Sequence, residues 1–204
     1  MTTLKTIAII ANGDTPRHPQ VLSALAHCDG CVCCDRLPPE GAPPLLQVVG
    51  DLDSVTGDIA PNLLTDLHED QETNDLTKAM RWADANHPGV AIHYFAVTGK
   101  REDHTLANLA LITEAKCATC IFTESGRFDL LTAGSHTLAV EIGEPVSFLS
   151  FVQQTITVRG VVWPVEQLRL TSLWRATLNK TAATTLGITC ESPLLVYRPW
   201  RIAP

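Results

Sequence analysis

The stretch Gly50-Asp51-Leu52-Asp53-Ser54 follows an apolar run, Leu45-Leu46-Gln47-Val48-Val49, that reads as a short buried strand. The glycine permits a sharp exit, and two carboxylates follow with one residue between them. Residues two apart in extended backbone point the same way. Two unit charges about 4 Å apart repel by roughly 4 kcal/mol at an effective dielectric near 20. A cation removes that penalty, and all-oxygen ligands suit Mg²⁺. Asp, Ser and Gly are also ordinary turn residues, so a polar turn is the competing account of this stretch alone.

Two further constellations carry comparable chemistry. In Asp70-Gln71-Glu72-Thr73-Asn74-Asp75-Leu76-Thr77-Lys78, Asp75 falls in the first turn of an expected helix. The helix dipole favours a carboxylate there, so capping competes with a role beside Asp51 and Asp53 around a metal, with Gln71 orienting a substrate. In Thr98-Gly99-Lys100-Arg101-Glu102-Asp103-His104-Thr105-Leu106-Ala107-Asn108, a strand gives way through glycine and two bases to a helix start. Helix N-termini and arginine are natural phosphate partners, and His104 and Asn108 share a helix face. The spacing is not that of a P-loop.

The elements that must position these residues alternate. Strands are expected at 5–11, 31–34, 45–49, 63–68 and 90–97, and helices at 19–27, 74–86 and 103–115. Leu76, Ala79, Met80 and Ala83 repeat at helical spacing behind Asn74 as N-cap, and His87-Pro88-Gly89 stops that helix. In the last helix Leu106, Leu109, Ala110 and Thr113 fall on one side. Alternating strand and helix implies a mostly parallel sheet, whose ligands bind at the carboxyl ends of the strands. Asp14, Asp35, Asp51, Asp53, Asp70 and Asp103 all follow strand ends closely, which makes that rim a candidate metal-dependent site. From about residue 127 the texture becomes short strands separated by turns, pointing to a sandwich or barrel. The expected fold class is an α/β N-terminal domain with a mostly parallel sheet, 1–128, followed by an all-β sandwich, 129–204.

Composition narrows the partners. A formal charge of −7 argues against nucleic acid, whose binding rests on Lys and Arg neutralising phosphates. It is compatible with a nucleotide whose charge is met by a divalent metal. No apolar run reaches the roughly 20 residues of a membrane span. The segment Lys5 to Ala11 is too short and strand-like for a signal peptide, so the expected location is cytoplasmic. Seven cysteines cannot all pair internally. Cys28, Cys31, Cys33 and Cys34 with the Cys117/Cys120 pair have enough ligands for zinc. The run Cys31-Val32-Cys33-Cys34, however, reads as a buried strand in which cysteine packs as a small hydrophobe.

Taken together, the three stretches resemble the thiamine pyrophosphokinase (thiamine diphosphokinase) family, whose pattern is a GDxDS block, a DQxxTDxxK-type block and a GGRxDHxxxN block. The resemblance implies the two-domain fold above and a homodimer with active sites between subunits. It also implies Mg²⁺-dependent transfer of pyrophosphate from ATP to the hydroxyethyl oxygen of thiamine, releasing AMP. By similarity, Asp51, Asp53 and Asp75 hold Mg²⁺ and the triphosphate, and Gln71 lies near the reacting groups. Asp35, Lys78, Arg101, Asp103, His104 and Asn108 fall on the ATP side, and Trp163 and Asn179 on the thiamine side. Phosphoryl-type transfer depends mainly on positioning and charge neutralisation, which such residues and a metal provide.

The chain departs from the pattern at several positions. Lys100 stands at the second glycine of the third block, Asn74 at a usual threonine, and Arg36 where Gly usually follows the strand-end Asp. Gly160-Val161-Val162-Trp163-Pro164-Val165 resembles a G-x-x-W-P-L stretch, whereas Leu178-Asn179-Lys180 keeps only the asparagine of a Ser-Asn-Glu element. That segment leaves open a relative that uses or hydrolyses ATP with another small acceptor. A nucleotide or metal sensor without catalysis is the alternative from a different class, and a zinc protein built on the cysteines is a third.

Overall fold

The computed structural model describes residues 4–52, 55, 59–67 and 72–200. Its contacts divide the chain into two units, Met1–Glu124 and Ser125–Pro204.

The first unit is built on strands β1 (Thr6–Ile10), β2 (Gly30–Cys34), β3 (Leu45–Gly50), β4 (Leu64–Asp66), β5 (Ala91–Phe95) and β6 (Thr119–Thr123). They run parallel in the order β6-β5-β1-β2-β3-β4. The near-continuous apolar sequences of β1 and β2 are buried almost throughout, as expected of central parallel strands covered on both faces. Cys31, Cys33 and Cys34 lie in this core, and none of the seven cysteines forms a disulfide. No cysteine belongs to a metal-ligand cluster among the described residues, so the zinc reading has no geometric support.

Three helices flank the strands. In α1 (Pro19–Ala26), Val21 and Leu25 recur four apart and are buried. In α2 (Asp75–Asn86), Leu76, Ala79 and Ala83 form the buried stripe, with Leu76 contributing about 2 kcal/mol of burial. The Asn74 side chain accepts from Thr77 N at 2.8 Å, satisfying one of the orphan donors of the first turn. The third helix, α3 (Glu102–Ile112), departs from the expected pattern: Leu106 is exposed, and Ile112 is the residue it buries.

The strand order reverses at β1, which pairs with β2 on one side and β5 on the other. That is the topological switch point at which open α/β sheets bind ligands. The loops leaving these two strands are stitched together: Gly13 N donates to Ala96 O at 2.6 Å and Asp14 N to Thr98 O at 3.0 Å. A methyl group on Gly13 would overlap both carbonyl oxygens, so only glycine lets the loops approach this closely.

The second unit contains two antiparallel sheets. One has the order β12-β9-β14-β7, from β7 (Gly126–Leu131), β9 (Pro145–Leu149), β12 (Ala176–Lys180) and β14 (Leu194–Pro199). The other runs β11-β10-β13-β8, from β8 (Gly134–Ala139), β10 (Gln154–Arg159), β11 (Val165–Leu170) and β13 (Thr185–Cys190). Inward residues of both, including Phe148, Val196, Ile156 and Leu186, form one apolar core in a sandwich-like arrangement. A buried Arg198 crosses this unit, donating to Asp129 Oδ2 at 2.8 Å and to Ala139 O at 3.1 Å.

Candidate active site

Three carboxylates converge at the carboxyl ends of β2 and β3 and the start of α2. One oxygen each from Asp35, Asp51 and Asp75 lies within 4.8 Å of the others. Asp51 and Asp75 were expected together as metal ligands, and Asp35 on the same rim of strand-end acids but assigned to the nucleotide. Asp35 takes a left-handed backbone, φ 46°, as it leaves β2, a turn that strand-end spacing does not reveal. Asp53 and Gln71, and with them Asp70, lie outside the described residues.

Gly50 provides the space for this convergence. A Cβ there would stand 3.0 Å from Asp35 Cβ and 3.3 Å from Asp75 Oδ1, filling the hollow between the two acids. Three oxygen donors with no sulfur or imidazole among them match a hard divalent cation such as Mg²⁺. Lys78, one turn into α2 and only 5% exposed, places Nζ 3.2 Å from Asp75 Oδ1 and offsets part of the negative charge.

Beside the acids, a cleft of about 540 Å³ opens at the switch point. Its walls come from the β1 exit (Asn12, Gly13), from Asn74 and Asp75 on α2, and from the β5 exit and α3 (Lys100, His104). This volume suits a nucleotide-sized ligand. Cys34 also reaches the wall; burial, together with nearby Asp75 and Asp35, pushes its thiol well above its ordinary pKa, so it is neutral and inert there.

The expected nucleotide-side residues divide by role. Arg101 forks onto Asp103, with Nε to Oδ1 at 3.0 Å and Nη2 to Oδ2 at 2.5 Å. The guanidinium holds Asp103 down at a pKa of about 2. Asp103 Oδ1 also accepts from His104 N at 2.9 Å, satisfying a first-turn amide of α3. Asn108 donates to Val97 O at 2.8 Å and thereby fixes the β5 exit loop, while His104 is exposed along the cleft. Lys100 occupies a left-handed backbone position at φ 59°, the geometry that a glycine serves without strain.

In the second unit Trp163 is 58% exposed and therefore not a core residue. Asn179 is buried with its amide engaged on the backbone: it accepts from Trp163 N at 3.2 Å and Lys180 N at 2.8 Å, and donates to Trp163 O at 2.8 Å. Asn179 is thus the anchor that presents Trp163. Beside it Leu178, at φ 61°, is 85% exposed. The outward display of Leu178 was not legible in the sequence, because nothing local signals its left-handed turn.

An acid cluster and a switch-point cleft on a parallel α/β unit, followed by an all-β unit, define a two-unit class of fold. Within that class, residues 25–122 match the family model "Thiamin pyrophosphokinase, catalytic domain", and residues 127–197 match "Thiamin pyrophosphokinase, substrate-binding domain". The chain belongs to the thiamin pyrophosphokinase family. Its fold is similar to that of thiamine pyrophosphokinase from Bacillus subtilis, with 21% identity, a TM-score of 0.76, and coverage of 97% of this chain and 100% of the other. The thiamin pyrophosphokinase from Candida albicans matches at 14% identity and a TM-score of 0.73, covering 96% and 90% of the two chains. The yeast enzyme matches at 13% identity and a TM-score of 0.74, covering 98% and 88%. A comparison with curated proteins gives no match. Among the described residues, no helix is long and apolar enough to cross a membrane.

Proposed function

We propose that this chain is a thiamine pyrophosphokinase that uses ATP, and that the switch-point cleft is its nucleotide site. The observation that carries the reading is the convergence of Asp35, Asp51 and Asp75 beside that cleft, in a chain matched by both the catalytic and the substrate-binding models of the family.

In the reaction the hydroxyethyl oxygen of thiamine attacks the β-phosphorus of ATP. The bond from that phosphorus to the oxygen bridging to the α-phosphate breaks, AMP leaves with the bond's electrons, and the hydroxyl proton is released. Mg²⁺ held by Asp35, Asp51 and Asp75, with Asp53 added by resemblance, would neutralise charge on the transferring group. Lys78 pairs with Asp75 at the edge of the cluster. Asn108 and the Arg101–Asp103 fork hold the β5 exit and the first turn of α3 in the shape that meets the nucleotide. Gln71 is assigned near the reacting groups by resemblance alone.

On the acceptor side, exposed Trp163 gives the thiamine rings a flat apolar face, and Asn179 fixes its backbone. A homodimer is proposed on the resemblance to the family. The cytoplasm is the proposed location.

The test is incubation with ATP, Mg²⁺ and thiamine, following AMP and thiamine diphosphate together. Equal amounts of both support the proposal. AMP without thiamine diphosphate points to another acceptor, and ADP with phosphate to simple hydrolysis; either contradicts it.

A further inference from the structure

The basic side chains at and beside the cleft differ in what they face. Arg101 is forked onto Asp103, and Lys78 lies against Asp75. Lys100, by contrast, donates from Nζ to the neutral side-chain oxygen of Asn12 at 3.2 Å. Among the described residues it is the cation on the cleft wall that has no carboxylate partner.

Its placement is also unusual. Lys100 and Asn12 belong to the loops leaving β5 and β1, the two strands that flank the switch point, and both line the cleft. A lysine at φ 59° is held in a conformation that L side chains adopt at a cost, and such strain persists where the surrounding structure over-determines it. The next residues open α3, whose N-terminal dipole favours an anion at the same place. An ammonium with a neutral, replaceable partner is suited to a phosphate oxygen.

We infer that Lys100 binds the polyphosphate of the nucleotide, releasing Asn12 to do so, and acts as an affinity-determining residue where the family pattern has glycine. The inference rests on the reading of the cleft as the ATP site.

The experiment compares ATP with adenosine by calorimetry, using the full chain as wild type, Lys100→Asn and Lys100→Arg. Asparagine tolerates a left-handed backbone, so the first variant removes charge while keeping the turn. Lys100→Asn is expected to weaken ATP about tenfold and to leave adenosine within about twofold, with Lys100→Arg recovering to within about threefold. In turnover, KM for ATP rises by a similar factor while KM for thiamine stays put. Unchanged ATP affinity in Lys100→Asn, or an equal loss for adenosine, overturns the inference. Wild type that binds both ligands but forms no thiamine diphosphate contradicts the proposed function, and the same comparison still decides Lys100. Wild type that binds ATP no more tightly than adenosine overturns the role of Lys100.

Discussion

Lys78 Nζ lies 3.2 Å from Asp75 Oδ1, three residues apart on the first turns of α2, with the lysine buried and the aspartate facing the acid cluster. Removing Lys78 takes away the buried cation nearest Asp75, whose own carboxylate is partly solvated, so a modest loss of stability is expected. Lys78→Met is therefore expected to lower the melting temperature in the presence of chelator. Mg²⁺ should raise it more in the variant than in wild type, because the cation takes over the neutralisation. Equal Mg²⁺ shifts in the two proteins would contradict a metal at Asp35, Asp51 and Asp75.

Trp163 and Asn179 make a second dependence testable. The Asn179 amide holds both backbone polar groups of Trp163, and each such hydrogen bond contributes about 1 kcal/mol. Trp163→Ala should raise KM for thiamine about tenfold or more with KM for ATP unchanged. Asn179→Ala should shift KM in the same direction and also lower stability, whereas Trp163→Ala should leave the melting temperature nearly unchanged. An unaltered KM for thiamine in Trp163→Ala would remove the tryptophan from the acceptor site.

The Arg101–Asp103 fork predicts a pH response of definite sign. The guanidinium lowers the folded pKa of Asp103 from an ordinary 3.8 to about 2, so the pair's stabilisation is complete above about pH 4 and is lost as pH falls toward 2. Carbon-detected NMR titration should show the Asp103 carboxyl still ionised at pH 3. A midpoint near 4 would mean that the fork does not persist in solution. Both side chains are exposed, so added salt should weaken the effect.

In the all-β unit, Arg198 and Asp129 are both buried and paired at 2.8 Å. Asp129→Ala would leave the guanidinium with Ala139 O and the more distant Glu144, 3.9 Å away, and is expected to destabilise the protein by about 3 kcal/mol, measured by urea unfolding. Arg198→Met with Asp129→Leu together should cost much less than the sum of the two single changes, because apolar groups replace both charges. Additive losses would show that the pair itself is not the stabilising unit.

The sequence made legible what depends on local chemistry. Asn74 announced α2 because an N-cap and an apolar period coincide, and β1, β2 and β3 followed from continuous apolar runs bounded by Asn, Asp and Gly. Strand-end spacing put Asp35 and Asp51 on one rim, and Asp75 joined Asp51 through its place in the first turn of α2 and the resemblance. What stayed hidden depends on long-range or left-handed geometry. Asp35 joins the acids only because its backbone turns at φ 46°, and Gly50 leaves the hollow into which it turns. In the second unit, β13 alternates polar and apolar residues at period 2, whereas Ala176 to Lys180 of β12 lacks that alternation and is placed by its pairing with β9. The exposed Leu106 on α3 likewise shows apolar spacing without burial in this chain.

The transfer itself is tested most directly by following label from ATP carrying ³²P at either the α or the β position, with thiamine and Mg²⁺. The account predicts that β-label appears in thiamine diphosphate and α-label stays in AMP, and that Asp51→Asn abolishes both products while the fold remains. Label transferred from the α position, β-label retained in ADP, or wild-type turnover in Asp51→Asn would contradict it.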